Sequence, residues 1–359
     1  MRRMLAAFCV LLIGSLAWVF GRVVDEPAVV IIGRLTDDNW NELVPAGKEV
    51  DAILGDFVLR NRLVTAVIAQ PLATRHANMT VRDVGGCLID LTSRPDESDQ
   101  LGAFYPGAKR FPFQSALARA GDGAEIDLAT TSVAKSSAGE IVVSATGNDG
   151  RLKVEVTYRL AADMPYLTVT SKFTNVGTKP VQVPLTDEFR LDHGKEEVVK
   201  APDGETELFW IHDVHWRQAY GFLVEQAKIV ANSNTRTTSF QYAMSNDKPS
   251  VSIEPGQSFE LVRHIVPGPH LPAVRAAVGK MQHKTPVVAV ELSLIDNANR
   301  PVPNARVELF RNGHPWGLVP SDRAGQVTTP LPNGEYPTRA TPLRRHHGST
   351  ACSMARSPR

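Results

Sequence analysis

Residues Arg151–Asp192 read RLKVEVTYRLAADMPYLTVTSKFTNVGTKPVQVPLTDEFRLD, and their alternation decides the fold class. In the first run Val154, Val156 and Tyr158 fall on one side, and Lys153, Glu155, Thr157 and Arg159 on the other. After Asp163-Met164-Pro165, the apolar Leu167, Val169 and Phe173 alternate with Thr168, Thr170, Lys172 and Thr174. Val181, Val183 and Leu185 form a third run behind Asn175-Val176-Gly177. A period of two sustained over three runs predicts successive antiparallel strands with one wet face. It predicts architecture and is silent on activity.

Working outward, the same texture fills most of the chain. Short apolar runs at VVIIGRL, DAILGDFVLRN, LVTAVIA and MTVRDVGGCLIDL are separated by turn signals at Gly55-Asp56 and Asn61-Arg62. Arg94–Phe113 reads as a loop anchored by Phe104, Tyr105, Phe111 and Phe113. Alternation resumes over Ile126–Val143, and Asn148-Asp149-Gly150 makes a hairpin turn into Arg151. Further strand signals run through Leu208–Ile211, Ala219–Val224 and Ser250–Ile265. We therefore expect an all-β chain. Residues 29–267 form a large antiparallel, supersandwich-like β-sandwich, 268–285 a helical connector, and 286–336 a small Ig-like sandwich.

The two ends read differently. Met1-Arg2-Arg3 and the apolar run Met4–Phe20 have the pattern of a signal peptide or signal anchor over residues 1–22. Ala17-Trp18-Val19 is a poor cleavage site, so the expectation is anchoring by residues 4–20 in the cytoplasmic (inner) membrane. The rest of the chain would then be exported, to the periplasm or cell surface. Residues 337–359 carry five arginines, no acid and the pair His346-His347, which reads as a basic disordered tail or the product of an interrupted reading frame.

Composition excludes several classes. Lys and Arg total 39 against 38 Asp and Glu, a net charge of +1, so no general attraction to nucleic acid or anionic lipid follows. The three cysteines make no metal-ligand spacing, and Cys87 reads as a small buried hydrophobe. There is no P-loop, no dinucleotide fingerprint and no G-x-S-x-G. No metal or other cofactor is expected.

Two stretches crowd polar groups enough to suspect a ligand site. In Trp210-Ile211-His212-Asp213-Val214-His215-Trp216, the indoles of Trp210 and Trp216 offer flat faces for sugar stacking, and His212 and His215 are a candidate pair. The pair shares a face only on a helical turn; in a strand the two point oppositely. In Asp187-Glu188-Phe189-Arg190-Leu191-Asp192-His193, the residues Asp187, Glu188, Asp192 and His193 could hold a hard cation or form an acid/base pair. The plainer alternative there is a solvated sheet edge.

Residues Pro286–Tyr336 resemble a carboxypeptidase-regulatory-like domain. The likeness lies in Val288–Leu294, Asp296, Arg300-Pro301-Val302-Pro303-Asn304-Ala305-Arg306-Val307, Asp322, Gly325 and Leu331-Pro332-Asn333-Gly334-Glu335-Tyr336. The resemblance implies a small seven-stranded spacer or binding sandwich without an active site. Gly55–Asn61 and Asn78–Leu91 are similar to the β modules that precede a catalytic PHP domain in exported bacterial CehA/McbA-type metallohydrolases. Such a domain gathers metals on closely spaced histidines, and only 337–359 follows here. The large domain also resembles the galactose-mutarotase-like supersandwich, which implies sugar binding.

These readings converge on an exported, non-catalytic β protein acting as a spacer or holding a carbohydrate or other cell-envelope ligand. The alternative is an enzyme, either a truncated metal hydrolase or a sugar-processing supersandwich.

Overall fold

The computed structural model describes residues 28–147, 149–191, 197–234, 236–282 and 286–342. The chain divides into two compact units, one within 25–267 and one within 268–359. The expected segment 1–22 lies outside the described residues, as do Asp192 and His193. No helix among the described residues is long and apolar enough to cross a membrane.

The alternation at 151–175 becomes a hairpin. Strand Leu152–Ala161 pairs antiparallel with Leu167–Asn175, placing Val154 opposite Phe173 and Tyr158 opposite Val169 on the inward face. The third run then parts company with the first two. Val181–Pro184 pairs with Ser250–Ile253 in a two-stranded ribbon, and the chain crosses to the opposite sheet as Thr186–Leu191. Leu167–Asn175 takes its other partner from far along the chain, Ser258–Gly268.

Among the described residues, the large unit stacks a nine-stranded sheet on a ten-stranded one. In the nine-stranded sheet the central order is Gln218–Val224, Ser258–Gly268, Leu167–Asn175, Leu152–Ala161, Ala138–Thr146 and Ser115–Ala120. In the ten-stranded sheet, Thr237–Ala243, Thr186–Leu191, Leu101–Pro106, Leu88–Ser93, Val64–Ile68, Phe57–Arg60 and Val30–Arg34 lie side by side. The main core between them includes Val154, Tyr158, Val169, Phe189, Phe209, Tyr220 and Phe240. Gly139 marks a close approach of the sheets, since a Cβ there would lie 2.4 Å from Ile32 Cγ1.

A second apolar layer explains why the early strands do not alternate. Leu35, Leu43, Val58, Val67, Val84, Ile89, Ala103 and Tyr105 pack on the other side of the ten-stranded sheet, beneath the short helix Trp40–Leu43 and neighbouring loops. Strands Val64–Ile68, Leu88–Ser93 and Leu101–Pro106 are therefore buried on both faces. Strands buried twice read as continuous apolar runs. This corrects the loop expected over Arg94–Phe113, whose middle is a fully buried strand.

In the second unit the helix Leu271–Met281 packs on strands His314–Pro320 and Gln326–Pro332. His270 caps it, its Nδ1 accepting the Ala273 N–H at 3.2 Å. Val307, Leu309, Val319, Val327, Leu331 and Tyr336 form the core. The tail expected from residue 337 is corrected at its start. Thr338–Pro342 is a strand on Ala305–Arg311, with Arg339 ion-paired to Glu308 and Ala340 packed against the core. One inward alanine beside a paired arginine suffices for an edge strand, although the composition after Tyr336 reads as basic tail.

Candidate functional site

Asp187 belongs to the interior. Alternation along Thr186–Leu191 turns Asp187, Phe189 and Leu191 inward, and the strand is paired on both sides. The carboxylate accepts from Gly107 N–H at 2.8 Å, Tyr242 O–H at 2.6 Å and Arg263 Nε–H at 2.9 Å. Arg263 comes from the opposite sheet and also donates to Ser171 Oγ at 2.9 Å and the Leu261 carbonyl at 2.7 Å. Burial pushes the Asp187 carboxyl up, while Arg263, Tyr242 and the Gly107 amide pull it back. This bolt between sheets corrects the solvated edge read there, as far as the described residues 187–191 reach. Glu188 points outward to Lys109, whose ammonium lies 3.6 Å away and 4.1 Å from the centre of the Tyr105 ring.

The Trp210–Trp216 residues also separate. Strand Phe209–Asp213 runs antiparallel to Gln218–Val224, which fixes His212 opposite Ala219 and buries it. Trp210 is half-buried against the main core. His215 is exposed on the connecting turn, its ring edge-on to Trp216 at 5.3 Å. Asp213 closes the turn by accepting the Trp216 N–H at 2.9 Å, and Ser98 Oγ donates to the Trp216 carbonyl at 2.7 Å. The two histidines thus lie on a buried strand and an exposed turn, the arrangement a strand ending imposes. Among the described residues, no group of three or more His, Cys, Asp or Glu side chains could hold a metal ion.

Pairing brings together a different set on the outer face of the nine-stranded sheet. Thr168 and His264 are directly opposed across strands. Thr168 Oγ1 lies 3.1 Å from His264 Nδ1, and His264 Nε2 lies 2.9 Å from Glu225 Oε1. With a carboxylate on Nε2, the neutral ring carries its proton there and Nδ1 accepts from the threonine hydroxyl. Tyr166 meets the imidazole edge-on at 5.2 Å.

This chain of hydrogen bonds sits in a register row that runs Arg119, Glu140, Arg159, Thr168, His264. The next row on the same face is Leu117, Val142, Thr157, Thr170, Val262, and beyond it lie Ser144, Glu155, Lys172 and Glu260. The flanking charges are largely paired among themselves, Arg159 with Glu140 at 2.6 Å, Lys153 with Glu155 at 3.3 Å and Lys172 with Glu260 at 3.4 Å. An uncharged row thus lies between rows that carry charges, with an imidazole, hydroxyls, a carboxylate and an aromatic ring at one margin. Sequence reading missed His264, because one outward histidine in an alternating strand looks like any other wet residue. The signal lies in a pairing of residues 96 apart.

Fold and site define an all-β protein of two sandwich units. No family model matches the chain, and no curated protein matches it. Among solved structures, a TPR-domain containing protein from Parabacteroides distasonis is 11% identical with a TM-score of 0.44, over 60% of this chain and 47% of that one. The alpha-galactosidase from Lactobacillus brevis is 9% identical with a TM-score of 0.41, over 64% and 42%. A candidate aldose 1-epimerase from Escherichia coli K12 is 9% identical with a TM-score of 0.37, over 59% and 98%. The chain spans less than half the length of the first two. At these scores the likenesses carry no argument for this chain.

Proposed function

We propose that this chain is an exported, non-catalytic binding protein that holds a carbohydrate or other hydroxyl-rich cell-envelope ligand on the outer face of its nine-stranded sheet. The observation that carries the reading is the Thr168–His264–Glu225 chain beside Tyr166, at the margin of the uncharged row. Hydroxyl, imidazole and carboxylate offer donors and acceptors suited to sugar hydroxyls, and the aromatic ring offers a surface for C–H faces. Neighbouring rows whose charges are mutually paired favour an uncharged ligand over an ionic one. Membrane anchoring through residues 4–20, and kinship with the β modules of CehA/McbA-type proteins, belong to the same proposal and rest on the sequence features above.

Glycan-array screening of the full chain tests it, followed by calorimetry on the best ligand. His264→Ala and Glu225→Ala are each expected to weaken binding about tenfold or more, equivalent to about 1.4 kcal/mol, and His215→Ala to leave it unchanged. An empty array, or equal affinity in all three variants, would sink the reading. The same imidazole–carboxylate pair supports a second reading, a sugar-processing enzyme in which His264 moves a proton. Turnover of a bound glycan that His264→Ala abolishes would favour it.

A further inference from the structure

Away from that face, two carboxyl groups sit at the join between strand Leu88–Ser93 and the segment around Asp99. Asp90 and Asp99 are both wholly buried. Asp90 Oδ1 accepts the Asp51 N–H at 2.8 Å. Asp99 Oδ1 accepts the N–H of Leu91, the residue after Asp90, at 2.8 Å and that of Leu101 at 3.3 Å. The two groups are therefore neighbours, and Asp90 is the strongest nearby charge acting on Asp99. The second oxygen of each, Oδ2, has no hydrogen-bond partner among the described residues.

The charged surroundings supply little relief. Arg75 is the cation acting on Asp90, but it is held by Asp56, with Nη2 to Oδ2 at 2.7 Å and Nε to Oδ1 at 3.4 Å. Asp51 adds a third carboxyl, bonded to Asn78 Nδ2 at 3.2 Å. Lys48 and Glu49 approach Asp99 through their backbone N–H groups, at 3.1 and 3.3 Å from its carbonyl. From the opposite sheet comes the Tyr220 hydroxyl, 3.3 Å from Asp99 Oδ1 and donating to the Leu91 carbonyl at 2.9 Å. An unpartnered buried carboxylate oxygen is costly, and two neighbouring carboxylates in low dielectric do not both ionise.

We propose that the neighbouring buried carboxyls of Asp90 and Asp99 do not both ionise and keep one proton between them at neutral pH, forming a clasp that holds segment 46–56 to the sandwich and releases it as pH rises. The segment depends on these residues directly. Asp99 N–H donates to the Ala46 carbonyl at 2.9 Å, and Asp51 hangs on Asp90. Gly47 lies so close that a Cβ would be 2.2 Å from the Asp99 nitrogen. Beyond it the half-exposed Ile53 and Leu54 form the tip that the clasp restrains.

Burial pushes both carboxyls well above the usual carboxylate range. The folded state thus keeps a proton that the unfolded chain gives up above about pH 4. The clasp's stabilisation is complete below that pH. Above it, the unfolding equilibrium constant rises about tenfold per pH unit until the pair ionises. Asp51, pushed up to about 6 mainly by burial, adds the same sign between about pH 4 and 6.

Urea unfolding of the full chain from pH 5 to 9 tests the clasp in wild type, Asp99→Asn and Asp90→Asn. An amide brings its own donor, so each variant is expected to flatten the dependence above pH 6 and to exceed wild type in stability at pH 8. Infrared spectroscopy of folded wild type at pH 7 should show a protonated carboxyl band, a result that stands even where a variant does not fold. Absence of that band would overturn the proposal. So would stabilisation of wild type by calcium or magnesium at pH 8 that removes its pH dependence, since a cation would then fill the proton's place.

Discussion

Asp187 and Arg263 meet across the sheets with their side chains almost wholly excluded from water. Replacing Arg263 by Met leaves a buried carboxylate with two hydrogen bonds and without its paired guanidinium. Loss of one partner of a buried pair costs about 3–5 kcal/mol, whereas replacing both by apolar groups of similar volume can be neutral. We therefore expect Arg263→Met to lower the denaturant midpoint steeply and Asp187→Leu with Arg263→Met to recover much of the loss. An equal loss in single and double variants would show that packing, and not charge, sets the cost. Asp187 was legible in the sequence as a polar residue in a crowded run. Its role was not, because the partner lies 76 residues further on.

At the scale of elements, legibility followed exposure. Leu152–Ala161 and Leu167–Asn175 each have one wet face, so their side chains alternate and the hairpin could be read directly. Leu101–Pro106 is wet on neither face, and LGAFYP carries no period for a reader to find. The uncharged row is illegible for another reason: each row takes one residue per strand, and only register aligns them. The strand Thr338–Pro342 was hidden by the arginines around it. Because it covers an edge of Ala305–Arg311, deleting 338–342 is expected to lower the melting temperature of the second unit and to increase dye binding to exposed apolar surface. Unchanged melting would mean that this edge contributes nothing to the unit's stability.

Over the whole molecule, the two units carry acid–base groups of opposite sign. His270 caps the helix Leu271–Met281 as a neutral acceptor, and burial holds its pKa down to about 4. A depressed histidine stabilises fully above its unfolded pKa of about 6.5, and that contribution is lost as pH falls from there through 4. The carboxyl clasp of the large unit runs the other way, weakening as pH rises. Calorimetric scans at pH 4.5 and 8 are therefore expected to shift the second unit's transition up and the large unit's down as pH increases. His270→Asn, an uncharged cap, should hold the second unit's transition still. Both transitions moving in parallel would contradict this assignment.

The pairing of Leu167–Asn175 with Ser258–Gly268 bears on the time the chain needs to assemble. The hairpin at 151–175 can form from neighbouring residues, but its sheet is completed only when a segment synthesised much later finds it. Chain between the two must first be gathered into a loop, and the entropy of that closure is paid before the contacts reward it. Domains dominated by such distant pairings fold in about milliseconds to seconds, orders of magnitude slower than helical bundles. During that interval the already formed hairpin presents the bare edge of Leu167–Asn175, and an unpaired strand edge is where one chain can capture another.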